Sequence, residues 1–84
     1  MKAEKIIQKK AALNALDKVG RLSEETIRDH VGVAQGKPLP TLDCQHLIRE
    51  MTGDGWIGSY TDPVLGIVYH VITQQGRDAL LAMG

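Results

Sequence analysis

Apolar positions along the chain repeat with two periods, one helical and one alternating, and their order sets out the elements. Residues 3–19 contain no Pro or Gly and are rich in Ala, Leu, Lys and Gln, which predicts a first helix ended by Gly20. Ile6, Leu13 and Leu16 share one side of it with Ala12 nearby, while Lys9 interrupts that side and Ile7 points elsewhere. Arg21-Leu22 is long enough only for an edge strand. Ser23 then suits an N-cap, with Glu24 and Glu25 in the first turn of a second helix striped by Ile27 and Val31 and stopped by Gly32. The Gly- and Pro-punctuated stretch from Gly32 to Pro40 reads as a loop, longer than the roughly 3 to 4 residues that join a helix-turn-helix. A third helix follows Thr41 as its cap and ends near Thr52-Gly53. Its phase buries Cys44, Leu47, Ile48 and Met51 and turns Leu42, His46 and Arg49 outward, flanked by Gln45 and Glu50.

From Trp56 the period changes to 2. Trp56, Gly58 and Tyr60 alternate with Ile57, Ser59 and Thr61, and Ile67, Tyr69 and Val71 alternate with Val68, His70 and Ile72, around the turn Asp62-Pro63-Val64-Leu65-Gly66. Thr73 caps a last helix that returns Ala79, Leu80 and Met83 to the core. Gly76, costly inside a helix, implies a close approach to a neighbouring element.

Helix, hairpin, helix in this order is the back half of a winged helix. Gly53-Asp54-Gly55-Trp56-Ile57, a hairpin, and then Ile72-Thr73-Gln74-Gln75-Gly76-Arg77-Asp78-Ala79-Leu80 resembles the winged-helix repressors of the MarR and PadR type. The resemblance covers residues 41–83 by motif and residues 1–31 by element order only. It implies an α+β winged helix spanning residues 1–84: helix, short strand, helix, helix, two-stranded wing, helix, with a three-helix core. It also implies transcriptional regulation through DNA, with the third helix in the major groove, although a shared fold carries architecture further than activity.

Composition narrows the function classes. Eighty-four residues support one domain with one modest core, and aromatics are only 4%, so that core is aliphatic. No apolar run approaches a membrane span and the basic N-terminus lacks a signal-peptide pattern, so a cytoplasmic protein without membrane contact is expected. The single Cys44 excludes an intrachain disulfide. His30, His46 and His70 fall on three different elements, and Cys44 and His46 lie on opposite faces of one helix. Neither a metal site, a cofactor site nor a nucleophilic dyad is expected, and the chain does not read as an enzyme.

Net charge is zero, but its distribution is uneven. Residues 1–21 hold six cations against two acids, a net +4, and the remainder is −4. Two hypotheses follow. In the first, Gln45, His46 and Arg49 approach base edges of double-stranded DNA while Lys9, Lys10, Arg28 and Lys37 touch phosphates. In the second, Leu42, Val64 and Leu65 form a protein contact, as in an adaptor or inhibitor of the kind that phages and mobile elements encode. The acids of the third helix and a wing tip without cations favour this second reading. Either allows a homodimer, expected through the first or fourth helix. The lysines could equally do no more than solvate a helix face, and Val64 and Leu65 could fold back onto the sheet.

Overall fold

The computed structural model describes residues 2–84. Helix α1 spans Ala3–Val19 and buries Ala12, Leu13, Ala15 and Leu16; Gly20, at φ 99°, turns the chain out of it while donating its N–H to the Leu16 carbonyl at 2.8 Å. Ile6 and Ile7 are 38% and 51% exposed, whereas Gln8 and Lys9 are buried, so the inward face departs from the apolar pattern. The short edge strand forms one residue later than Arg21-Leu22, as β1, Leu22–Ser23, and Ser23 Oγ caps helix α2 by accepting from the Thr26 N–H.

Helix α2 spans Glu24–Gln35 and does not stop at Gly32. Gly36, at φ 76°, takes the left-handed stop, and Gly32 lies inside the helix, where a Cβ would come into van der Waals contact with the returning Lys37 carbonyl at 3.4 Å. The connection to helix α3, Thr41–Gly53, is therefore only Gly36–Pro40, pinned by Leu39 at 4% exposure. Thr41 does not cap α3: Pro40 holds the cap position, and the Thr41 hydroxyl accepts from the Arg28 guanidinium of α2. Both corrections bring α2 and α3 closer to a tight helix pair than their Gly and Pro content suggests.

Strands β2, Ile57–Thr61, and β3, Val68–Ile72, form an antiparallel hairpin, and β1 pairs with β3 on its other side, giving the order β1-β3-β2. In this register Ile57 faces Ile72 and Ser59 faces His70, so Ile57, His70 and Ile72 close over the helices while Tyr60 and Tyr69 lie together on the outer face. Helix α4, Gln74–Met83, is capped by Thr73, whose Oγ1 accepts from the Gly76 N–H at 3.0 Å and donates to the Gly55 carbonyl at 2.6 Å. The aliphatic core joins α1, α2, α3 and the inner sheet face, with Leu80 and Met83 packed against it. Leu13, Leu16, Ile27, Leu47 and Met51 are fully buried, each contributing about 2 kcal/mol of transfer free energy. No described helix is long and apolar enough to cross a membrane.

Candidate nucleic-acid interface

The helical phase of α3 divides it cleanly. Cys44, Leu47 and Met51 are fully buried and Ile48 is 8% exposed, while Leu42, Gln45, His46 and Arg49 stand in solvent on the other side. Burial pushes the Cys44 thiol up to about 11, so it serves packing. No side-chain hydrogen bond or ion pair among the described residues holds Gln45, His46 or Arg49. Their amide, imidazole and guanidinium groups are free donors and acceptors in a row one helical turn long.

Of the two acids on this helix, Asp43 in the first turn is exposed and makes no ion pair among the described residues, whereas Glu50 at the other end is engaged. Glu50 receives Lys5 Nζ at 3.3 Å and Lys9 Nζ at 3.4 Å, and Lys9 also lies 3.3 Å from Asp54. The hydrogen bond from Lys5, and secondarily that from Lys9, holds the Glu50 carboxyl below its ordinary value. Two cations of α1 thus meet two carboxylates at the C-terminal end of α3, and the seam is neutral. This corrects the expected role of Lys9: its side chain is 5% exposed, with the ammonium 5.3 Å from the centre of the Trp56 ring, so it cannot reach an external phosphate. Only the fold makes this pairing visible, because Lys9 and Asp54 lie 45 residues apart.

The other expected phosphate contacts are dispersed. Arg28 sits beside the N-terminus of α3 through its bond to Thr41, lining an open groove with Gly32, Lys37 and Pro40. Lys37 reaches back to Glu4 at 3.4 Å with both side chains well exposed, a contact worth little in water. Lys10 is half-buried on α1 and makes no ion pair among the described residues; Lys2, Lys18 and Arg49 are exposed and likewise unpaired. Arg21, the remaining cation of the basic first quarter, lies 4.2 Å over the Tyr69 ring and donates to the Tyr60 hydroxyl at 2.8 Å, tying β1 to the hairpin. The chain does not assemble its N-terminal cations into one strip.

At the hairpin tip, Asp62 accepts the Leu65 and Val64 N–H groups at 2.9 and 2.8 Å, which holds its carboxyl below the ordinary value and shapes a tight acidic turn. Val64 and Leu65 do not fold back: they are 90% and 60% exposed, and Leu42 is 61% exposed. Neither a scan against protein-family models nor a search of curated proteins finds a match for this chain.

Proposed function

We propose that this chain is a winged-helix domain that binds double-stranded DNA, as a small transcriptional regulator does, with α3 entering the major groove. The observation that carries the reading is the outward, unpartnered row Gln45, His46 and Arg49 on a helix at whose C-terminal end Glu50 and Asp54 are paired by Lys5 and Lys9, which leaves Asp43 as the one acid of α3 without an ion pair among the described residues. Gln suits the N6 and N7 edge of adenine, and Arg the O6 and N7 edge of guanine. Arg28 beside the start of α3 and Lys10 on α1 are the backbone contacts, with Lys37 joining once Glu4 releases it. The element order, the β1-β3-β2 sheet and the hairpin after α3 support the winged-helix assignment. Fluorescence anisotropy with a labelled mixed-sequence duplex at low salt tests the reading. Binding that weakens with salt supports it, and absence of binding at low ionic strength removes it.

The tip, whose own residues include no Lys or Arg and whose Asp62 lies 3.9 Å from Arg21, exposes Val64 and Leu65 and, together with Leu42, favours a second reading in which the same domain is a protein-interaction module. Leu42→Ser with Val64→Ser separates the two: duplex affinity survives the double change under the first reading, whereas under the second there is no duplex affinity to preserve.

A further inference from the structure

The free edge of β2 carries a second interaction surface, independent of the DNA reading. Trp56 accepts from the Thr73 N–H and the Asp62 N–H donates to Ile67, so the backbone groups of residues 56, 58, 60 and 62 are spent on β3. Those of Ser59 and Thr61 point away from β3, out of the sheet, because β2 is terminal in the order β1-β3-β2. Ser59, Tyr60 and Thr61 are all exposed, and no turn or loop hydrogen bond uses the two outward-facing pairs. Exposed edges are ordinarily blunted by Lys, Pro, a bulge or a covering element. Gly58-Ser59-Tyr60-Thr61 has no Lys or Pro, and its register with β3 is continuous.

The geometry points to antiparallel pairing of β2 with the β2 of a second copy of this chain, about a two-fold axis at Tyr60, which joins two three-stranded sheets edge to edge. At this register Ser59 faces the partner's Thr61 and Thr61 faces the partner's Ser59, so the outward groups meet in about four hydrogen bonds across the axis. Tyr60 opposes the partner's Tyr60 at the close, non-hydrogen-bonded position and extends the Tyr60–Tyr69 pair, whose centroids are 6.0 Å apart, into a row of four rings. Asp62 falls opposite the partner's Gly58, so the two Asp62 carboxylates do not face each other; each Arg21, bonded to its own Tyr60 hydroxyl, stays 3.9 Å from its own Asp62, and the chain's zero net charge adds no long-range repulsion. The antiparallel direction carries the exposed Val64 and Leu65 of each tip toward the half-buried Trp56 at the base of the other hairpin. An axis at Ser59 would instead call on the backbone of Ile57, a residue only 3% exposed. The surface differs from the first- or fourth-helix dimer expected from sequence.

Sedimentation equilibrium of the full chain from micromolar to millimolar concentration should pass from the monomer to twice its mass. Ser59→Pro removes an N–H that β3 does not use, so the fold should persist while the dimer dissociation constant rises at least about tenfold. Tyr60→Cys should oxidise to a covalent dimer, and Val71→Cys, on the same face but one strand inward, should not; the buried Cys44 does not compete. A monomer at every concentration with no Tyr60→Cys cross-link overturns the inference. So does a dimer indifferent to Ser59→Pro, or a monomer whose β2 edge instead captures an extended peptide. Should Ser59→Pro fail to fold, the comparison of the two cysteine variants decides alone.

Discussion

His70 is the buried titratable group without a partner. It sits at 7% exposure on the inner face of β3, and its Nδ1 has no hydrogen bond among the described residues. Burial disfavours the imidazolium and holds the pKa below 6.5, with the Glu24 carboxylate offsetting part of the effect. The folded state therefore binds this proton less readily than the unfolded chain. The associated stability is complete above the unfolded pKa and is lost as pH falls below it. Thermal unfolding should show Tm dropping as the pH is taken below the ordinary imidazole value of 6.5, with His70→Gln flattening that fall. Glu50 and Asp62, held below their ordinary values of 4.5 and 3.8, add their losses only at lower pH. An unchanged slope in His70→Gln would assign the transition to another group. Gly76 is the second decisive residue: a Cβ there would stand 2.1 Å from the Trp56 carbonyl oxygen and 2.8 Å from Ile72 Cγ1. Gly76→Ala should cost about 3 kcal/mol or prevent folding, because rigid backbone rather than a mobile side chain blocks the space. A Tm equal to that of the parent chain would show that α4 can move away.

Among the elements, α1 and α3 are held together by charge as well as by core. Lys9→Met keeps the apolar stem but removes the cation between Glu50 and Asp54, and should lower stability by about 1 kcal/mol, a modest figure because both carboxylates reach solvent. Adding Glu50→Gln and Asp54→Asn should recover most of the loss; additive losses in denaturant titrations would deny the coupling. The same pair of helices shows what the sequence made legible. The buried stripe of α3 was plain because Cys44, Leu47, Ile48 and Met51 keep strict helical phase, and Thr73 and Gly76 announced the start of α4 and its close packing. The inward side of α1 was not plain, since Gln8 and Lys9 occupy it while Ile6 and Ile7 are exposed, and their partners lie far along the chain. Gly32 resembled a helix stop because sequence cannot distinguish a glycine that ends a helix from one that admits a returning loop. Of the candidate interface, the outward row on α3 was legible from phase alone; the withdrawal of Lys9 from it was not.

Across the whole molecule, the first quarter's charge of +4 is redistributed by folding. Lys5 and Lys9 neutralise the end of α3, Arg21 locks the sheet, and Lys2, Lys10, Lys18 and Arg49 make no ion pair among the described residues. Few phosphate contacts are therefore available, and the salt dependence of duplex binding should be shallow, with Lys10→Ala reducing its slope by about 1. Arg49→Ala should weaken binding about tenfold or more while leaving Tm unchanged, because this side chain is exposed and makes no hydrogen bond or ion pair among the described residues. The central claim is that α3 is the surface that meets DNA, and amide chemical-shift mapping during titration with a duplex at low salt tests it most directly. The account predicts shifts concentrated at Gln45, His46 and Arg49 and near Arg28. An unperturbed α3 at saturating duplex, or shifts confined to the hairpin and α4, would contradict it.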